Sequence, residues 1–100
     1  FLNLIIITIM EIKEAYKNDK FKVLHVSLKK GEKMPLHAAT SDAYIVNKSG
    51  VGSVRFSDRK VLLTSGETLL IKAQEPHQLE VLEDFTSSVI LEADASIDFI

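Results

Sequence analysis

The sequence predicts an all-β domain, an antiparallel barrel or sandwich of seven to nine short strands. Three observations support this class. Runs rich in Val, Ile, Leu, Thr and Phe recur along the chain, with turn-forming residues roughly every 8–12 positions. Within several runs apolar residues alternate with polar ones, as they do on a strand that buries one face. Helical periodicity is almost absent.

Each element follows from this alternation and from the turns between the runs. An ambiguous amphipathic stretch at 12–16 precedes a turn at Asn18-Asp19 and a strand at 21–28 that is apolar on both faces. Residues 34–40 lead into a strand at 43–46, which Asn47 to Gly50 end, and 51–57 shows the cleanest alternation. The remaining strands are expected at 60–64, 68–73, 77–82, 85–93 and 96–100, with turns at Asp58-Arg59, Ser65-Gly66, Glu75-Pro76 and Glu83-Asp84.

The length of 100 residues predicts a single domain with its core over 21–93. Residues 1–9 are almost wholly apolar, yet too few for the ~20 that a membrane-spanning helix needs, and they lack the features of a signal peptide. Met10 opens a stretch of ordinary composition, so we expect it to be the natural start. Residues 1–9 are then an added extension or the end of a longer chain, and if ordered they would pair as a strand swapped onto a partner subunit.

Charge and composition exclude several classes of function. The net charge is −2 and basic residues alternate with acidic ones, which argues against a nucleic-acid partner. The chain contains no cysteine, so it has no disulfide framework or thiol nucleophile, and this fits a cytoplasmic location. No segment predicts a membrane association. A chain this short buries a limited share of its surface, which favours a homodimer.

Two histidines carry the most specific signal. Each lies a short distance after a turn-forming glycine, in Gly31-x5-His37, which runs on to Gly50, and in Gly66-x10-His77. Period-two geometry places His77 on the same face as Leu79 and Val81, and it places His37 with Pro35 and Ala39. We therefore expect both imidazoles to point into the interior, where each needs a hydrogen-bond partner or a metal.

This spacing resembles the cupins, whose first motif is Gly-x5-His-x-His, three or four residues, Glu, six residues, Gly, and whose second is Gly-x5-Pro-x-Gly-x2-His-x3-Asn. The resemblance covers roughly residues 21–91 and is closest to small single-domain barrels of the RmlC-like, type-2 group. It implies an antiparallel jelly-roll β-barrel, also called a double-stranded β-helix. It also supports the homodimer.

The chain departs from the metal-binding pattern of that family. Cupin metal sites usually take two histidines and a glutamate from the first motif and one histidine from the second. Here Ala39 stands at the second-histidine position, and the glutamate position is Ala43 or Tyr44. Lys72, Gln74 and Val81 replace the Pro, Gly and Asn of the second motif. The resemblance thus implies the barrel with an incomplete metal site.

His25 offers a third ligand. His25 and His37 are equidistant from Gly31, so a simple hairpin there would bring them together across strands. The alternative is a core or interface histidine. The expected cofactor is accordingly either none or a weakly held divalent metal (Zn, Fe, Mn or Ni) bound by His37 and His77.

Three functions remain open. The preferred one is a non-catalytic or vestigial barrel that binds an unidentified small molecule, for example as a sensor. In this interpretation the missing ligands leave a cavity with small apolar walls and polar histidines. Its predicted lining is His37, His77, His25, Ala39, Ala43 and Ile45. The second is a metal-dependent enzyme of the dioxygenase or isomerase type, and the third is a structural dimerisation module. No catalytic residue is assigned.

Overall fold

Eight β-strands make up the regular structure of residues 10–100, the part of the chain that the computed structural model describes. The all-β prediction is confirmed. The suggested swapping of residues 1–9 lies outside the described range. The strands are β1 (Met10–Lys17), β2 (Phe21–Leu28), β3 (Lys33–Ala39), β4 (Ala43–Arg55), β5 (Lys60–Leu63), β6 (Thr68–Ile71), β7 (His77–Glu92) and β8 (Ile97–Phe99).

All strand pairs are antiparallel, and two long strands, β4 and β7, run through the whole molecule. The strands form one sheet that curls over, and the first and last halves of β4 and β7 belong to its two facing parts. We call these parts the first sheet and the second sheet. The first sheet has the order β1-β2-β7-β4-β6, and it uses the end of β7 and the beginning of β4. The second sheet has the order β8-β3-β7-β4-β5, with the other halves of the same two strands. The sheets face each other and enclose the core.

The bend between the sheets depends on Gly50. The β4–β7 register shifts three times between Asn47 and Gly52, so β4 continues through the predicted turn at Asn47 to Gly50 instead of ending there. The predicted turn at Glu83-Asp84 likewise lies inside β7. Bulges absorb extra residues and bend a strand without ending it, which is why these two turn predictions were wrong. Gly50 has φ of +86°, and a Cβ at this position would overlap the carbonyl oxygen of Asp84.

The core follows the period-two pattern of the strands. In the first half of β7 the buried positions are His77, Leu79 and Val81, and the residues between them are exposed. Aliphatic and aromatic side chains from both sheets, among them Leu28, Val54 and Phe85, form one buried cluster. A smaller alanine-rich cluster around Ala39 and Ala43 lies beside it. No helix in residues 10–100 is long and apolar enough to cross a membrane.

Candidate functional site

His37 and His77 lie side by side in the barrel interior. They are direct partners in the β3–β7 ladder, and their ring centroids are 4.1 Å apart with the planes inclined at 61°. Both are buried, with 5% and 6% of their surface exposed. The structure therefore confirms that the two imidazoles converge inside the β-barrel.

Each ring is held by a backbone carbonyl two residues earlier in its own strand. Nδ1 of His37 is 2.6 Å from the oxygen of Pro35, and Nδ1 of His77 is 2.9 Å from the oxygen of Glu75. A carbonyl oxygen can only accept, so in both rings Nδ1 carries the proton and donates it. In the neutral imidazole, Nε2 is then the atom with the lone pair. The site offers two hydrogen-bond acceptors at adjacent positions.

Burial keeps both rings neutral at pH 7. Desolvation lowers the pKa of His37, and the nearby His77 lowers it further, against a smaller opposing effect of the Pro35 hydrogen bond. Desolvation also lowers the pKa of His77, opposed by the hydrogen bond to Glu75 and its carboxylate charge. A positive charge shared between two rings in contact would be costly in this environment.

The strand that carries His37 is irregular. The β3–β7 register shifts between Met34 and His37, so Met34 and His37 are both buried while Pro35 and Leu36 are exposed. The prediction that Pro35 shares the face of His37 was wrong, because the bulge breaks the period of two. The prediction for Ala39 is confirmed, since it lines the same cavity as His37.

The histidines line a cavity of about 60 Å³ between the two sheets. Its walls include Ala39, Ala43 and Ile45, all three predicted from the sequence. Ser87, with 1% exposure, is a polar lining residue that was not predicted from the sequence. Ser87 lies two residues from Phe85 and two from Val89 on β7, and this alternation predicts that its side chain faces the interior. The other lining residues are aliphatic or aromatic, such as Val26, Val54, Ile71, Leu79 and Phe85.

His25 is not brought to this site. Its neighbours in β2, Leu24 and Val26, both line the cavity, so alternation directs His25 to the outer face of the first sheet. There its ladder partners are Ser88 on β7 and Lys13 on β1. β2 does not pair with β3, because β7 lies between these two strands. The prediction of a three-histidine set was therefore wrong, and His25 is a half-buried residue of the outer face.

Aromatic rings flank the histidine pair on both sides. The Phe99 ring centroid is 5.6 Å from that of His37, and the Phe56 centroid is 5.9 Å from that of His77. The Arg59 guanidinium lies 3.7 Å above the Phe56 ring and is bound to Glu75 at 3.0 Å. The cation–π contact and this ion pair fix Phe56 against His77 and limit the movement of the ring.

The side chains present do not fit a cupin metal centre. Catalytic and structural metal sites generally use three or four protein ligands, and here two imidazoles face the cavity. Within residues 10–100 no three His, Cys, Asp or Glu side chains are grouped to hold a metal. Ala43 lines the cavity whereas Tyr44 is 41% exposed on the opposite side of β4, so of these two residues Ala43 is the one that faces the histidines.

Comparison with solved structures decides the fold. A cupin superfamily protein from Desulfitobacterium hafniense superposes with a TM-score of 0.78 at 19% identity, over 85% of this chain and 78% of the other. An RmlC-like cupin from Desulfovibrio desulfuricans gives a TM-score of 0.76 at 19% identity, over 86% and 84%. The protein has the cupin fold. The predicted jelly-roll barrel is thereby confirmed.

One of the solved structures that share this fold is that of an enzyme. The DMSP lyase DddQ from Ruegeria pomeroyi shares the fold with a TM-score of 0.71 at 16% identity, over 77% of this chain and 40% of the lyase. The sequence matches no family model and no curated protein. At these identities the likeness establishes the barrel, and the function has to be argued from the site itself.

The neutral histidine pair predicts that acid destabilises the barrel. The folded-state pKa of each ring is lowered, so the unfolded chain binds protons at a higher pH than the folded chain. Stability is then complete above the ordinary histidine pKa of about 6.5 and falls as the pH drops below it. The free energy of unfolding can fall by as much as about 2.7 kcal/mol per pH unit while both rings titrate. Urea unfolding from pH 7.5 to 5 measures it.

The double variant His37→Gln/His77→Gln should flatten this dependence, because it removes both titrating groups. An equally steep dependence in the double variant would show that other groups cause the acid sensitivity.

Proposed function

We propose that this cupin barrel is a non-catalytic binding protein for a small molecule that donates hydrogen bonds to Nε2 of His37 and of His77. The observation that carries the proposal is the pair of Nδ1 contacts to Pro35 and Glu75. Since each Nδ1 donates, each neutral ring presents a lone pair at Nε2. Two adjacent acceptors in a buried site are best satisfied by a ligand with two donors.

The electrostatics of the site favour a neutral ligand over an anion. A carboxylate only accepts hydrogen bonds, so it would require protonated rings, and burial lowers the pKa of both histidines. A primary amide, a urea or a diol has the matching donors. The –NH2 group of a primary amide is the simplest fit, because one nitrogen can donate to both rings.

The walls and the volume limit the size of the bound group. The cavity is lined mainly by aliphatic side chains and measures about 60 Å³, well below the ~150 Å³ cavity that accommodates benzene in an engineered protein. A head group of a few non-hydrogen atoms is expected, with one polar end at the histidines and a small apolar part against Ala39 and Ala43. This would suit a sensor or carrier of a small polar metabolite.

Acetamide and acetate provide a matched pair of probes, because they differ little in size but only acetamide donates hydrogen bonds. At pH 7.5, acetamide titrated into uniformly ¹⁵N-labelled protein should shift the Nε2 resonances of His37 and His77, and acetate should not. His37→Ala and His77→Ala should each weaken acetamide binding at least about tenfold, the loss expected for one buried hydrogen bond. His25→Ala should bind as the wild type does.

Two results would contradict this function. Acetate binding as strongly as acetamide at pH 7.5 would refute the donor requirement. Stoichiometric Fe, Mn, Ni or Zn in protein purified without a polyhistidine tag would favour a metal-dependent enzyme, in which a bound substrate completes the ligand set. A barrel that binds neither probe nor metal, with wild-type stability in His37→Ala/His77→Ala, would favour a purely structural module.

A further inference from the structure

The carbonyl group that holds His77 belongs to the turn between β6 and β7, residues 72–76. Gln74 in this turn has φ of +64°, in the left-handed region that favours glycine. It stands at the position where the cupin motif has a glycine. A residue with a Cβ adopts this backbone conformation only when other contacts hold it there. The orientation of the turn therefore depends on its anchors.

The two halves of the turn are anchored differently. In the first half, the backbone N–H of Ala73 donates to the carboxylate of Asp42, and that of Gln74 donates to the carbonyl oxygen of Ala39, both at 2.8 Å. The second half contains Glu75, and here the anchor is a side-chain contact to the hairpin between β4 and β5. The carbonyl group that faces the histidine thus depends on a different anchor from the rest of the turn.

Arg59, in the β4–β5 hairpin, provides that anchor. Its two terminal nitrogens donate to the two carboxylate oxygens of Glu75, at 3.0 and 3.4 Å. A pair of parallel hydrogen bonds fixes the orientation of a carboxylate as well as its distance. The backbone oxygen of the same Glu75 lies 2.9 Å from Nδ1 of His77. Arg59 therefore holds the residue that holds the His77 ring.

The same guanidinium also holds a ring that packs on His77. Cζ of Arg59 lies 3.7 Å from the centroid of Phe56, and the Phe56 and His77 centroids are 5.9 Å apart. The backbone N–H of Phe56 donates to the carbonyl oxygen of Arg59 at 2.8 Å, which closes the hairpin. Arg59 is thus connected to His77 by two routes, through the carbonyl of Glu75 and through the ring of Phe56.

His37 is oriented by another part of the protein. Its Nδ1 donates to the oxygen of Pro35 on its own strand, and its outer neighbour is the ring of Phe99. Within residues 10–100, the side chain of Arg59 contacts Asp58, Glu75 and Phe56. The two imidazoles share one cavity, yet a change at Arg59 reaches His77 first.

We propose that Arg59 is a positioning residue for His77, which keeps the proton of that ring on Nδ1 and the lone pair on Nε2. The other tautomer would place the lone pair of Nδ1 against those of the Glu75 oxygen, so it is excluded while this carbonyl stays in place. The inference rests on the proposed function, because Nε2 of His77 is one of the two acceptors for the ligand. A side chain outside the cavity, with 43% of its surface exposed, thereby controls a buried hydrogen-bond acceptor.

The tautomer can be measured in the free protein, without a ligand. Long-range ¹H–¹⁵N correlation spectra at pH 7.5 should show a protonated Nδ1 in both His37 and His77. Arg59→Met keeps an unbranched chain over Phe56 and removes the paired hydrogen bonds. It should shift the tautomer equilibrium of His77 about tenfold toward Nε2–H, the effect of loosening one hydrogen bond, and leave that of His37 unchanged. Arg59→Lys, which keeps the charge without the fork, should give an intermediate shift.

Glu75→Ala and Asp58→Ala form a matched pair. Both carboxylates bind Arg59, but only Glu75 also contacts His77. Glu75→Ala should shift the His77 tautomer as Arg59→Met does, and the double variant should shift it no further, because both changes remove the same contact. Asp58→Ala should keep the wild-type spectrum.

Acetamide binding gives a second readout. The dissociation constant should rise in inverse proportion to the fraction of His77 that keeps the proton on Nδ1, so a fraction of about one half should weaken binding about twofold. Wild-type tautomers in Arg59→Met and Glu75→Ala, or an equal shift in His37, would overturn the proposal. If Arg59→Met fails to fold, Arg59→Lys and Glu75→Ala decide. A shift confined to His77 in a protein that does not bind acetamide would support the role of Arg59 and contradict the proposed function.

Discussion

Gly50→Ala is expected to lower the free energy of unfolding by at least about 3 kcal/mol. A Cβ at Gly50 would overlap the backbone oxygen of Asp84, and φ is +86°. The obstacle is main chain within the β4–β7 ladder, so it cannot move aside as a flexible side chain can. Backbone strain alone costs about 1–3 kcal/mol, and the steric conflict adds to it. Urea denaturation measures the loss, which is a large part of the stability of a small domain.

Gly66→Ala is the matched control for this effect. Gly66 has the same φ of +86°, but a Cβ there would meet no atom within 4 Å. The expected loss is about 1 kcal/mol, which reflects the left-handed backbone conformation alone. If the two variants were equally stable, the close approach between Gly50 and Asp84 would not be a feature of the folded protein in solution.

Ala39→His/Ala43→Glu is expected to create a four-ligand metal site in the barrel. Both alanines line the cavity beside His37 and His77, so the double variant supplies four potential ligands in one place. Divalent metals bind such sets far more strongly than two imidazoles. We expect the affinity for Zn²⁺ or Ni²⁺ to rise at least about 100-fold, as measured by isothermal titration calorimetry and by metal content after dialysis.

The orientation of β4 supplies a sharp control. In Ala39→His/Tyr44→Glu the new carboxylate lies one residue further along, on the exposed side of the strand. This variant should therefore gain much less affinity than Ala39→His/Ala43→Glu. Equal gains would mean that the side of β4 that carries the carboxylate does not affect metal binding, which would contradict the orientation of Ala43 toward the histidines.

The fold and the histidine pair could be predicted from local pattern and family resemblance. His77 lies on a regular stretch of β7, so alternation with Leu79 and Val81 gave its direction correctly. The glycine-to-histidine spacings indicated the barrel. Ala39, Ala43 and Ile45 were assigned to the cavity, where the structure places them.

The remaining features depend on tertiary pairing, which local pattern does not contain. Whether Asn47 to Gly50 ends a strand or forms a bulge is decided by the contact of Gly50 with Asp84, residues far apart in sequence. The direction of His25 follows from which face of β2 is covered, and a run that is apolar on both faces gives no preference. The register shift in β3 that exposes Pro35 likewise depends on how β3 pairs with β7, which the local sequence does not contain.

The passage of β4 and β7 through both sheets has a consequence for how the chain folds. Neither sheet is complete until both long strands are in place, so the two halves cannot form as independent units. The ladder between them and β2 joins Phe21 to Glu92 and Leu28 to Phe85, near opposite ends of the described chain. Such pairings require large loops to close before any stabilising contact is gained, which slows folding relative to helical domains of the same length. Slow, all-or-none refolding with a single protection level for the central amides of both sheets is the kinetic signature that this topology implies.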